Sequence, residues 1–369
     1  MDFTVPAWSH RLSWPIILGH FLPWFTGERI DAFPLPAGAE QLVLPKLESW
    51  RHWRDARSQY QRTHLYQPEW GEYDSRDPQI IRKQIETARE YGLDGFIVNL
   101  YGKNSVENLL GLAFLEELKK VNAENPERPP FLYMVSFDSQ AQWPTEGKTP
   151  VTIEEDFEYL RDIWFGDYCL RRDGVPLLAV FVYDKPCSRY RAAADQVFGK
   201  GGLDIVWPSA ADAAGQDAAY VWVCPDQLEP NGSWFHPDAA GDGFLRDFYR
   251  KCAVNPEIQY IMGGVWPGFD DQLVSWAWNP NPSNPEIRPR VMCRETTRGN
   301  TLELTWRAAQ EYIAANQSGD LSCGKPMPLI QIVTWNDWAE ATNVEPDLDH
   351  GRRPLETCAK FIKQLKESY

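Results

Sequence analysis

"DPQIIRKQIETAREYGLDGFIVNL", residues 77–100, sets a helix and a strand almost end to end. Ile81, Ile85, Ala88 and Tyr91 recur at helical spacing, so one face of Pro78–Tyr91 is apolar. Asp77 has the right chemistry to cap that helix, Pro78 suits its first turn, and Gly92 is a natural stop. Then comes Gly95–Leu100, an apolar run with no alternation. A strand that is apolar on both faces must be covered on both faces, which is the condition inside a parallel sheet flanked by helices.

The same alternation runs through the chain. Strands are expected at Pro15–Phe21, Gly95–Leu100, Phe131–Phe137, Pro176–Tyr183, Leu203–Trp207, Tyr220–Val223, Tyr260–Val265 and Leu329–Trp335. Helical patterns fall at Pro78–Tyr91, Val106–Val121, Ile153–Phe165, Ser188–Phe198, Gly241–Cys252, Thr301–Ala315 and Pro354–Leu365, with a short Ala-rich stretch at Ala210–Asp217. Eight such units indicate an α/β protein of the (β/α)8 TIM-barrel class. A doubly wound open sheet is the alternative, but no Gly-rich phosphate loop follows the first strand. The 369 residues read as a single domain, 1–369, with two long connections. Leu22–Asp77 follows strand one and carries an expected short helix, Leu47–Gln61. Trp266–Asn300 follows strand seven. Both leave strand C-terminal ends, where barrel active sites are built.

Composition narrows the partners. Asp and Glu outnumber Lys and Arg 52 to 37, a net charge of −15, so phosphate backbones are repelled and no nucleic acid is expected. A neutral substrate fits that balance. The 17 Trp, 15 Tyr and 17 Phe supply flat apolar faces that pack against sugar rings as well as against one another. Trp24, Trp143, Trp234, Trp276 and Trp278 lie in polar loop contexts, where core packing explains them less well. The seven Cys are odd in number and widely spaced, with no C-x-x-C, which points to neither a zinc cluster nor a disulfide framework. No apolar run reaches the roughly 20 residues of a membrane span. Met1–Phe21 makes a poor signal peptide because Pro15 and His20 break its apolar run, so the sequence as given reads as cytoplasmic, or as secreted if a leader has been trimmed. Oligomeric state is left open.

In a barrel, residues at or just past the strand ends face one mouth. These are His20 and, in the loop beyond it, Trp24; Asn99 and Tyr101; Ser136 and Asp138; Tyr183 and Asp184; Trp266, Asp270 and Asp271; and Trp335, Asn336, Asp337, Trp338, Glu340 and Glu345. Carboxylates and amides hydrogen-bond vicinal hydroxyls and aromatic faces hold ring C–H surfaces, so a neutral carbohydrate suits this set. Any single Asp here could instead be a cap or a turn residue, Asp270 and Asp271 included. Asp337 and Glu340 are spaced i and i+3, which on a helical turn places them on one face. Glycoside hydrolysis needs a proton donor and a second carboxylate. A helix beginning here would favour ionisation of the earlier acid, making Asp337 the base and Glu340 the donor. The competing reading is a plain capping pair. No metal or cofactor is called for.

These residues resemble known families. "TWNDWAEATNVEP", 334–346, is similar to the closing motif of glycoside hydrolase families 71 and 99 and of the WbsX-like polysaccharide-processing proteins. Asp337 follows family 71, where family 99 and the WbsX-like group have Glu, and Ala339 stands where family 99 has His. "GHFLPWF", 19–25, "QPEWGEYDSRDPQIIRKQIETAREYGLDGFIVNLYG", 67–102, and "WPGFDD", 266–271, carry the likeness upstream, while 140–255 matches nothing familiar. The resemblance implies a (β/α)8 enzyme acting on α-linked glucans or mannans, with Asp337 as base and Glu340 as acid. Family 71 implies inversion and family 99 retention through the substrate's own 2-hydroxyl. The shorter Asp337 leaves more room for a water, which favours inversion. A WbsX-like assembly enzyme or transglycosylase and a non-catalytic sugar-binding barrel are the competing readings.

Overall fold

The computed structural model describes residues 1–8, 10, 12–55, 60–138, 151–181, 186–210, 217–228, 234, 236, 238–275, 290–319 and 324–368. Eight parallel strands close on themselves: β1 (Ile16–Phe21), β2 (Gly95–Leu100), β3 (Leu132–Phe137), β4 (Val175–Val180), β5 (Asp204–Trp207), β6 (Asp217–Ala219), β7 (Ile258–Val265) and β8 (Leu329–Ile332). Each pairs with the next, and β8 returns to β1 with Leu329 beside Ile16 and Ile332 beside Gly19. This is a (β/α)8 TIM barrel. Its helices are α1 (Pro78–Glu90), α2 (Val106–Ala123), α3 (Ile153–Tyr159, continuing as a wider π turn to Trp164), α4 (Cys187–Phe198), α5 (Asp242–Val254), α6 (Thr301–Ser318) and α7 (Arg353–Ser368).

Period-two alternation sorts the side chains. Ile16 and Leu18 of β1, Ile97 of β2, Met134 of β3, Leu177 of β4, Val206 of β5 and Met262 of β7 fill the barrel, and Phe3, Val5, Leu12 and Leu170 plug its N-terminal end. Ile17, Phe96, Val135 and Ile330 point the other way, into the layer under the helices. In α1, the Asp77 carboxylate accepts the Gln79 N–H at 2.8 Å, and Ile80, Ile81, Ile85 and Ala88 are buried. Burial of each isoleucine stabilises by roughly 1.5–3 kcal/mol. Gly92, at φ +89°, ends the helix in a conformation that L side chains rarely adopt. Among the described residues no helix is long and apolar enough to cross a membrane.

Three local expectations fail. The sixth strand is Asp217–Ala219, not Tyr220–Val223. Alanines fit the space between β5 and β7, and that packing outweighs the strand propensity of the aromatics that follow. The stretch 211–216, expected to be helical, lies outside the described residues. The expected helix Leu47–Gln61 is a set of turns over its described part, because Trp50 and His52 sit at φ +60° and +59° and no helix passes through left-handed residues. Those turns bury Trp53, stacked on Phe25 at 4.1 Å. The last strand stops at Ile332, three residues early, where the chain turns across the barrel mouth.

Candidate active site

Past β8 the backbone makes a closed turn rather than a helix. Trp335 N–H still reaches the His20 carbonyl on β1 at 2.7 Å. The Asp337 N–H donates to Thr334 Oγ1 at 2.8 Å, and Thr342 N–H returns to the Asp337 carbonyl at 3.2 Å. Ala341, at φ +53°, ends any helical continuation. Asp337 Oδ1 accepts the Glu340 N–H at 2.9 Å, so half of the capping arrangement is present without the helix it would cap. The macrodipole expected to lower the pKa of Asp337 is therefore missing.

Electrostatics follow burial. Asp337 is 2% exposed, and desolvation pushes its carboxyl up to about 7 against the N–H groups of Glu340 and Ala339. Glu340 is pushed well above the usual carboxylate range, by desolvation first and then by the charges of Asp337 and Asp271, with Arg290 pulling the other way. Asp271 is wholly buried, ion-paired with Arg290 through one oxygen, and its other oxygen has no hydrogen-bond partner; burial pushes it to about 6. Asp270 holds the turn from the side, its N–H donating to the Glu340 carbonyl at 2.8 Å; its own carboxyl, pushed up by burial, accepts the Gln272 N–H at 3.0 Å. Opposite stand Tyr101, just after β2, and Asp138, just after β3. The Tyr101 phenol is pushed up by burial and by the charges of Glu107, Asp138, Asp337 and Glu340, which places it among them. Aromatic walls flank the acids. Trp24 stacks on His52 at 4.1 Å, and Trp234 meets Phe269 at 4.8 Å with the Arg290 guanidinium over both rings.

The candidates divide into two sets. Asp337, Glu340, Asp270, Asp271, Tyr101, Asp138 and Trp24 gather at the mouth. His20 and Asn99 end the barrel-facing rows that run through Leu18 and Ile97, at the floor of the mouth, whereas Trp266, Trp335, Asn336, Trp338 and Glu345 do not line it. His20 is wholly buried in the barrel, with the Trp222 ring edge-on at 4.7 Å, and desolvation lowers it to about 4, so it is neutral at ordinary pH. Asn99, 2% exposed, lies beside it. Trp266 points into the helix layer, its indole donating to the Ala240 carbonyl at 2.8 Å. There it packs so tightly that a Cβ on Gly241 would lie 2.6 Å from the ring. Trp335 also faces outward, 5.1 Å from Phe96. Asn336 fastens the turn to the Leu22 backbone with both amide atoms, at 2.8 and 3.1 Å. Trp338 donates to Glu345 at 3.0 Å, and both are buried. Trp266, Trp335, Asn336, Trp338 and Glu345 were also expected to touch substrate; alternation and the tight turn aim them away from the mouth. Asp184, Trp143, Trp276 and Trp278 lie outside the described residues. Sequence reasoning missed Arg290, hidden in a Pro-rich stretch, and Tyr73, whose signal was only its place in "GEYD". Among the described residues no three His, Cys, Asp or Glu side chains are grouped as metal ligands would be.

Two solved barrels are similar to this one. The family 99 endo-α-mannosidase of Bacteroides thetaiotaomicron, solved with bis-tris propane, aligns with a TM-score of 0.61 at 17% identity over 95% of this chain and 98% of that one. A glycoside hydrolase-like protein aligns with a TM-score of 0.55 at 14% identity, over 93% and 99%. No protein-family model and no curated protein matches the chain. At these identities the likeness concerns the fold.

Proposed function

We propose that this protein is a glycoside hydrolase acting on an α-linked neutral glycan, a glucan or a mannan, with Asp337 as base and Glu340 as proton donor. The observation that carries the reading is the unequal pair on the β8 turn. Burial raises both carboxyls, and the charge of Asp337 raises Glu340 further, so ionisation of one opposes ionisation of the other and the pair holds one proton between them. An ionised base beside a protonated acid is the state from which glycoside cleavage starts. Arg290 compensates Asp271 and so limits how far that third acid disturbs the pair. Trp24, Trp234 and Tyr101 provide faces for sugar rings. The barrel likeness to an endo-α-mannosidase makes α-mannan the first substrate to try.

A panel of α-glucans and α-mannans, with products followed by proton magnetic resonance, tests the proposal. Shortened chains are expected, with the newly formed anomeric signal reporting inversion or retention. Lengthened products would instead assign the site to glycan assembly, and binding without turnover would make it a sugar-binding barrel.

A further inference from the structure

Beneath the mouth lies a buried carboxylate that the proposed reaction does not use. Glu345, 1% exposed, accepts three hydrogen bonds: from the Tyr73 hydroxyl at 2.8 Å, from Gln84 Nε2 at 2.7 Å and from the Trp338 indole at 3.0 Å. The Trp335 indole also lies against it. All these neighbours are donors, so the ionised carboxylate, which only accepts, matches the set. Having given its one proton to Glu345, the Tyr73 oxygen accepts from Asn336 Nδ2 and from Gln84 Nε2, each at 3.1 Å. Asn336 and Trp338 flank Asp337 in sequence. Glu345 thus grips Trp338 directly and Asn336 through Tyr73, tying both neighbours of Asp337 to the loop before α1 and to α1 itself.

We infer that Glu345 is a positioning residue: with Tyr73 it clamps Asn336 and Trp338 from below so that the Asp337 carboxylate is held at the barrel mouth. Its catalytic consequence rests on the proposed hydrolase activity, but the clamp itself does not. Tyr73 is the titratable group facing Glu345; Gln84, Trp335 and Trp338 are its other polar neighbours. Burial pushes Glu345 up to about 7, with these donors pulling it down. The clamp therefore weakens as pH falls through the neutral range, because a protonated Glu345 brings a further donor to a group of donors.

The experiment follows the Trp338 indole N–H by nitrogen-15 resonance across pH 5–9, alongside kcat and KM on the best substrate of the panel. In the native chain the resonance should move with a midpoint in the neutral range; in Glu345→Gln it should stay put. kcat should fall about 10–100-fold with KM nearly unchanged, the size seen when outer partners of a catalytic group are removed. Tyr73→Phe keeps the ring but removes the hydroxyl that joins Glu345, Gln84 and Asn336, while the direct Glu345–Trp338 bond stays, so it should lower kcat less and leave the Trp338 indole signal dependent on Glu345. It also serves if Glu345→Gln does not fold. A Trp338 indole resonance that is the same in the native chain and in Glu345→Gln at pH 8 overturns the clamp. So does a folded variant of either kind with native kcat. If the native chain cuts no glycan, the proposed activity fails while the indole shift between native chain and variant still decides the clamp.

Discussion

The two ends of the barrel use carboxylates in opposite ways. At the N-terminal end Asp204 is ion-paired with Arg172 and accepts the Tyr260 hydroxyl at 3.0 Å, while Asp94 holds Lys366 at 2.7 Å and the Ile17 N–H at 2.8 Å. At the C-terminal end Asp337, Glu340 and Asp271 crowd together, and Arg290 pairs with Asp271 alone among them. A buried acid with a partner holds strands together. Buried acids facing one another cost stability, and a fold keeps such a group where its perturbed proton affinity is put to use.

The contrast can be broken most directly at Glu340. Glu340→Gln should reduce turnover by about 10²–10⁴-fold, the usual contribution of a general acid, with an unchanged circular dichroism spectrum. Near-native turnover would remove Glu340 from the mechanism. At the opposite end, Asp204→Ala should cost about 3–5 kcal/mol in urea unfolding by leaving Arg172 uncompensated, yet spare kcat per folded molecule. A loss of kcat there would mean that the two ends are coupled. Arg290→Met should move both limbs of the pH–rate profile to higher pH, by about a unit or less, because Asp271 then acts uncompensated on Asp337 and Glu340. The smallest effect sharpens the cost side. Asp337 has its folded pKa raised from 3.8 to about 7, so the folded state binds the extra proton and stability falls as pH rises across that window. Asp337→Asn removes that loss, and its melting temperature at pH 8 should exceed the native value by ~1–2 °C per kcal/mol recovered. A stability difference between the native chain and Asp337→Asn that is the same at pH 8 as at pH 4 would contradict the shift.

Much of the barrel was legible because strand burial and helix amphipathicity are local patterns. Gly95–Leu100 has the limits expected, α1 starts after the cap expected at Asp77, and α2 starts at Val106 as expected. The sixth strand escaped because alanines carry little strand signal, and the stretch after Leu47 misled because helical spacing does not reveal two left-handed residues. The site was half legible. Acids after strands are visible as letters, but Trp266, Asn336 and Glu345 carry the same letters into the interior.

The sequence by itself determined the alternation of strand and helix, the acidic and aromatic character of the strand ends and the Asp337–Glu340 spacing, since each depends on residues close along the chain. Tertiary structure alone decided which polar side chains face the mouth and which are spent as fasteners. That choice depends on Tyr73, Gln84 and Glu345 meeting across up to 272 positions, and on a turn that reverses the chain within six residues, 336–341. Direction and burial are properties of the closed ring, and they set the proton affinities on which the proposed chemistry rests.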